Sequence, residues 1–332
     1  MYPATNEARD RFILDRRGPR PPNDPWRYQA LTVEDERSSD GQIVRVATVF
    51  LTGRECPWRC VTCDLWQYTT PTDTPSGAIE VQLTAAREEL ARRAEPVARM
   101  KLYNAANFFD PRAVPDSDYP GIATALAGLD QIIVESHPSL IGTRVDRFLD
   151  ALAAAQDGTP PPCLEVAMGL ETAHPDALDR LNKRMTVDDF ARAADALKRR
   201  EVAMRVFLLI HPPFIPVERQ DDWLVRSVDV AFSSGATAVS LIPTRPGNGA
   251  LETLAAHGEF RAPSLEEIER SAQLALTAAP RGRVFVDLWD LQRFAHCPDC
   301  FDARLTRLRT LNLEQRWQPL SPCGQCGEGI SA

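Results

Sequence analysis

The chain has 332 residues, 44% hydrophobic and 25% charged, values of an ordinary globular protein that rule out a collagen-like or largely disordered chain. Its 38 basic and 46 acidic side chains leave a net charge of −8, so no global positive field draws nucleic acid or an anionic membrane. No apolar run approaches the roughly 18 residues of a membrane span, and Met1 to Phe12 is charged where a signal peptide needs an apolar stretch, so a cytoplasmic address with no membrane partner is expected.

Residues 1–41 read as an N-terminal extension. Over residues 9–27 six arginines (Arg9, Arg11, Arg16, Arg17, Arg20, Arg27) face three aspartates (Asp10, Asp15, Asp24), the composition of a solvated arm lying over the body. A core follows over 42–290, in which short β-branched runs alternate with amphipathic stretches, the pattern of a parallel sheet covered by helices. The six predicted strands are 43–51, 100–104, 131–135, 164–169, 203–210 and 238–242. Helical spacing of apolar residues predicts helices at 85–97, 119–129, 140–154, 175–181, 187–199, 223–233 and 264–276, and a further strand at 284–288. Thr186 with Asp189 has the spacing of a capping box at one helix start.

Six βα units in succession curl into an open or closed barrel, whose chemistry collects at the carboxyl ends of the strands. Polar residues fall there after every predicted strand, among them Glu135, Ser136 and His137, then Glu171 and Thr172, then His211, and finally Thr244 and Arg245. His137 and His211 are candidates for a general acid or for structural histidines beside prolines. Asp287, Trp289 and Asp290 could meet substrate or form a salt bridge at the end of the last strand. Gly247-Asn-Gly249 lacks the lysine and serine of a phosphate loop and reads as a simple turn.

Seven of the eight cysteines fall in tight clusters, which in a reducing compartment points to metal rather than disulfides. The eighth, Cys163, starts a strand and reads as a small buried residue. Cys56, Cys60 and Cys63 form C-x3-C-x2-C directly after the first predicted strand. Three such thiolates can bind three irons of a [4Fe–4S] cluster and leave the fourth without a protein ligand. That open iron can chelate the amino and carboxylate groups of S-adenosylmethionine and pass an electron to its sulfonium, releasing a 5′-deoxyadenosyl radical. A three-cysteine zinc site needing a fourth ligand, or an accidental grouping, are the other readings. Trp58 and Trp66 flank the loop and would shield a cluster from solvent.

The tail, 291–332, is Cys-rich, and a helix at 301–311 would span the gap between its two pairs. Cys297 and Cys300 are separated by 22 residues from Cys323 and Cys326. Two C-x2-C knuckles suit a structural zinc, and an auxiliary Fe–S cluster uses the same ligands, so spacing leaves both open. Either would fold the tail back as a compact knob.

With its strand before and βα units after, the Cys56–Cys63 segment resembles the radical S-adenosylmethionine superfamily over roughly residues 42–260. Within it the chain is similar to the Elongator-catalytic-subunit-like branch, especially the archaeosine-forming tRNA radical enzymes. The segments that carry the likeness are Lys101 to Arg112, Val134 to Pro138, Met168 to Thr172, Leu181 to Arg184 and Phe207 to Phe214. The resemblance implies an α/β fold, a partial (β/α)6 TIM-like barrel with the small Cys-rich tail as an addition. It further implies a [4Fe–4S] cluster, S-adenosylmethionine, and a reductant such as flavodoxin or ferredoxin.

By the same resemblance Asn104 to Asn107 would meet the amino group of S-adenosylmethionine, and Glu135 and Glu171 would face the cosubstrate, Glu171 at the ribose. Lys183 or Arg184 would pair with its carboxylate, and His211 to Phe214 with Thr244 and Arg245 would approach adenine or substrate. Thr62 stands where an aromatic or bulky residue is usual, and no Gly-Gly-Glu follows the second strand. The likeness points to a modified tRNA nucleoside as substrate, whereas the acidic total fits a small molecule or peptide equally well. The alternatives of another class are a zinc-ribbon nucleic-acid-binding module and an iron–sulfur binding protein, each with a noncatalytic barrel.

Overall fold

The computed structural model describes residues 1–104, 106–156, 158–279, 282–319 and 322–327, with Asn104 described by its backbone alone. Eight strands form one sheet in chain order: β1 (Ala30–Arg37), β2 (Ile43–Leu51), β3 (Arg99–Asn104), β4 (Gln131–Glu135), β5 (Cys163–Glu171), β6 (Ala203–Ile210), β7 (Ala238–Pro243) and β8 (Arg283–Val286). β1 pairs antiparallel with β2, and every later neighbour is parallel. The strands from β2 onward match the β-branched runs of the sequence. β1 has no counterpart in that reading, because Glu34 to Arg37 put four charges into its second half and hide the alternation of a strand.

Side-chain contacts show that the sheet curls. Arg205 on β6 reaches Glu36 on β1 with paired hydrogen bonds of 2.6 and 3.0 Å, although four strands lie between them in the sheet. Arg205 also bonds Glu165 on β5 at 2.6 Å, and Lys101 on β3 lies 2.6 Å from both Glu34 and Glu36. These residues sit toward the amino ends of the parallel strands, so a buried layer of charge floors a half-barrel whose mouth is at the carboxyl ends. Burial by itself would raise the Glu36 carboxyl, but Arg205 and Lys101 outweigh it and hold the group well below the usual carboxylate range.

Ten helices flank the sheet among the described residues: α1 (Asn6–Leu14), α2 (Ala78–Arg92), α3 (Tyr119–Ala125), α4 (Thr143–Ala154), α5 (Pro175–Arg180), α6 (Val187–Lys198), α7 (Gln220–Ser233), α8 (Ala250–Ala256), α9 (Leu265–Ala278) and α10 (Phe301–Glu314). The capping box at Thr186 and Asp189 is present, and Ser264 with Glu267 makes a second. Phe108, Phe109, Tyr119 and Phe148 are fully buried or nearly so and pack ring against ring. Each such side chain stabilises by about 1.5–3 kcal/mol. α2 begins at Ala78, seven residues before the expected start, because Ala78, Ile79, Leu83, Ala86 and Leu90 already form its buried face. Cys163 is exposed rather than buried, since it opens β5 at the rim of the sheet.

The two outer strands, β1 and β8, share no ladder, although Arg283 on β8 donates to the Arg37 carbonyl on β1 at 3.2 Å, and α10 packs against both. Asn312 on α10 accepts from the Val286 N–H at 2.8 Å and donates to the Val286 carbonyl at 2.9 Å. Gln315, just past the helix, does the same to Val284 at 2.6 and 2.8 Å. Two side-chain amides thus stand where a ninth strand would pair. Arg304 and Arg307 anchor the same helix on the buried carboxylate of Glu269 in α9, at 2.8 and 2.5 Å.

Candidate cofactor site

The loop after β2 carries Cys56, Cys60 and Cys63 at the mouth of the half-barrel. It has little regular structure of its own, so its backbone groups must bond elsewhere. Asn182 Nδ2 donates to the Arg59 carbonyl at 2.7 Å, the Val61 N–H donates to the Leu181 carbonyl at 3.0 Å, and Asn248 Nδ2 donates to the Val61 carbonyl at 2.5 Å. The Asn248 oxygen meanwhile accepts from the Ala250 and Leu251 N–H groups at 3.0 Å and starts α8. The Gly-Asn-Gly turn is therefore present, and its asparagine ties a helix to the cysteine loop.

The N-terminal segment completes the frame. Glu55, next to Cys56, takes Arg17 at 2.7 Å, Arg59 at 3.2 Å and also Arg20. Arg17 lies over the Trp66 ring, 4.9 Å from its centre, and Arg9 reaches Asp179 at 2.8 Å. Gly249 admits this packing, because a Cβ there would collide with the Arg16 carbonyl. The arginine-rich arm is thus docked rather than solvated, since its cations find carboxylates on the body.

Asn107 donates from Nδ2 to the Cys56 sulfur at 3.3 Å and accepts the His137 N–H at 2.7 Å. The His137 ring stacks on Trp58 with centres 3.9 Å apart. Its Nδ1 accepts from the Ser139 N–H at 3.1 Å, so Nε2 carries the proton and donates to the Lys183 carbonyl at 3.0 Å. Burial, aided by the Lys183 charge, pushes the imidazole pKa down to about 3. This histidine is a neutral strut at neutral pH. His211 is likewise lowered by burial, with Glu267 at 3.9 Å opposing the shift.

Glu171 ends β5 and holds Lys183 at 2.5 Å. Burial would lower the Lys183 ammonium, but Glu171 and the Cys60 and Cys56 thiols keep it raised. Gly169 leaves the room for this pair, since a Cβ there would strike both charged ends. Of the two cations expected near a carboxylate ligand, Lys183 faces the cysteines, while Arg184 turns to Asp10 on α1. Glu135 closes β4, where its carbonyl accepts the Phe108 N–H at 2.8 Å. The side chain of Asn104 lies outside the described residues. Glu171, Asn182, Arg184, His211 and Phe214 have φ between +54° and +72°, a left-handed backbone that costs about 1–3 kcal/mol each in non-glycine residues and collects at functional sites.

Burial pushes the Cys56 thiol up to about 11 and those of Cys60 and Cys63 to about 12. The donor set fits an iron–sulfur cluster: three thiols on one loop, an amide N–H on the Cys56 sulfur, and Lys183 beside them to offset thiolate charge. Among the described residues, the side chains gathered closely enough for one metal ion are Cys297, Cys300, Cys323 and Cys326, and the Cys56 triad is not such a group. A cluster accommodates the wider triad, because each of its thiolates binds a different iron. Asn182, Asn248 and Glu55 were not singled out from sequence, since no spacing links them to the cysteines.

No family model matches the chain. An archaeosine synthase subunit beta of Methanosarcina acetivorans is 26% identical over 296 residues, covering 85% of this chain and 82% of that protein. The protein of the same name from Thermococcus kodakarensis is 28% identical over 142 residues, 42% of each chain. Among solved structures, archaeal Methanocaldococcus infernus Elp3 with an N-terminal deletion superposes with a TM-score of 0.53 at 13% identity, over 72% of this chain and 62% of that one. The chain spans less than two thirds of that Elp3 structure, and the likeness is one of fold. The half-barrel with a C-x3-C-x2-C loop after its first parallel strand is thus similar in fold to Elp3, and the chain is similar in sequence, along most of its length, to an archaeosine synthase subunit beta.

Proposed function

We propose that this protein is a radical S-adenosylmethionine enzyme that abstracts hydrogen from a modified nucleoside in tRNA, and that it works beside a second subunit. The observation that carries the reading is the half-buried three-cysteine loop at the barrel mouth, joined to the match over 85% of the chain with a protein named archaeosine synthase subunit beta. Cys56, Cys60 and Cys63 would hold the [4Fe–4S] cluster, which with S-adenosylmethionine supplies a 5′-deoxyadenosyl radical once a flavodoxin- or ferredoxin-type donor delivers an electron.

The chain's own residues have separate tasks in this reading. Glu171 accepts hydrogen bonds from the ribose hydroxyls, Lys183 pairs with the carboxylate of S-adenosylmethionine, and Asn104, Asn107 and Glu135 border its amino group and sugar. Trp58, Trp66 and the docked N-terminal arm keep water from the loop. The C-terminal cysteines form a separate metal centre that takes no part in the radical step. Arg9, Arg17, Arg20, Arg304 and Arg307 are spent on internal carboxylates, and the net charge of −8 gives the chain no overall attraction for phosphates. The second subunit would therefore supply much of the tRNA affinity. The same internal pairing removes the support for a zinc-ribbon nucleic-acid module with a noncatalytic barrel. No helix among the described residues is long and apolar enough to cross a membrane.

The test is 5′-deoxyadenosine formation by anaerobically reconstituted protein with dithionite, given tRNA that carries a lysine-bearing deazaguanine or an unmodified transcript. Stimulation by the modified tRNA alone supports the reading, and equal rates with both overturn the assigned substrate. For the cosubstrate pocket, Glu171→Gln is expected to weaken S-adenosylmethionine binding by about 1.5–3 kcal/mol, the scale of hydrogen bonds to a charged group. The cluster spectrum should persist. Calorimetry that finds unchanged affinity would move the ribose contact to Glu135.

A further inference from the structure

We propose that Cys297, Cys300, Cys323 and Cys326 bind one tetrahedral zinc ion, and that this ion pins α10 across the gap between β1 and β8. The inference is independent of the substrate assigned above. The sequence left zinc and an auxiliary cluster both open, and sulfur geometry separates them. The four ligand atoms all lie within 4.8 Å of one another, with Cys297 4.0 Å from Cys323 and Cys300 4.0 Å from Cys326. A tetrahedron with Zn–S bonds of about 2.3 Å has edges of about 3.8 Å. An auxiliary [4Fe–4S] cluster puts each thiolate on a different iron, so its sulfurs stand further apart than the edges of a single-ion site. The observed spacing is that of one ion.

The position of the knob gives the ion its role. Cys300 is the residue from which α10 starts, and Cys323 returns after 22 residues, so the metal closes a loop around the helix. Closing a loop of that length costs only a few kcal/mol, and thiolate binding to a structural zinc exceeds this several-fold. α10 is then held at its start by the ion, in its middle by Arg304 and Arg307 on Glu269, and at its end by Asn312 and Gln315 on β8. Arg37 on β1 adds a bond to the Leu313 carbonyl at 3.1 Å. Together these contacts span both free edges of the sheet.

The experiment uses the full chain. With Cys56, Cys60 and Cys63 changed to alanine, elemental analysis is expected to find about one zinc per chain and no iron, and Co²⁺ in its place should give the visible bands of a tetrahedral tetrathiolate. Cys323→Ser/Cys326→Ser in the otherwise native chain should cut zinc at least about tenfold, keep the cluster spectrum, and speed amide exchange in α10 and β8 by at least about tenfold. Iron and sulfide bound at these four cysteines would overturn the zinc assignment, as would a chain that takes up neither zinc nor cobalt. Unchanged exchange in α10 and β8 after zinc loss would overturn the pinning role. The metal analysis of the alanine variant does not depend on whether the serine variant folds.

Discussion

Replacing Cys56, Cys60 and Cys63 together by alanine is expected to remove about four irons per chain, the content of one cluster, and to abolish 5′-deoxyadenosine formation. The fold should survive, because the loop is held by Asn182, Asn248 and Glu55 and not by the thiols. Circular dichroism should therefore match that of the native chain, and zinc at the C-terminal site should remain. Iron and sulfide assays on anaerobically reconstituted protein decide the matter. Full iron content in the variant would place the cluster elsewhere.

The largest loss of stability is expected from Arg205→Met. Among the described residues Arg205 alone bridges Glu36 and Glu165, and each of these carboxylates is at most 5% exposed. Removing one member of a buried ion group leaves uncompensated charge and typically costs about 3–5 kcal/mol. Urea unfolding would read this as a lower midpoint, and a change under about 1 kcal/mol would show that water replaces the guanidinium. Adding Glu36→Gln should recover part of the loss. Acid acts on the same group. The folded-state pKa of Glu36 is depressed, so its contribution is complete above the unfolded carboxylate value of about 4.3 and is lost as pH falls below it. In the Arg205→Met chain that acid sensitivity should diminish.

The residues that could be read from sequence are those whose signal is local. β-Branched runs marked the strands from β2 to β8, and fixed spacing marked both cysteine groups. β1 was illegible because its charges serve a contact with β6, far away in sequence, and not a hydrophobic face. Asn182 and Asn248 reach the cysteine loop from 123 and 187 residues away, and a polar residue with a distant partner has no periodicity to betray it. Cys163 misled because a strand's first residue need not share the burial of its middle. Lys183 and Arg184 adjoin in the chain, and only the positive φ at Arg184 and the location of Asp10 show which one enters the site.

A half-barrel leaves two strand edges without a ladder between them, and an exposed edge invites another chain to add a strand. Asn312 and Gln315 occupy the outward backbone groups of Val284 and Val286, so that β8 has no free ladder to offer there. This arrangement lets the protein stay an open sheet without seeding fibrillar self-association. Two amide side chains thus do for this edge what a closing strand does in a full barrel.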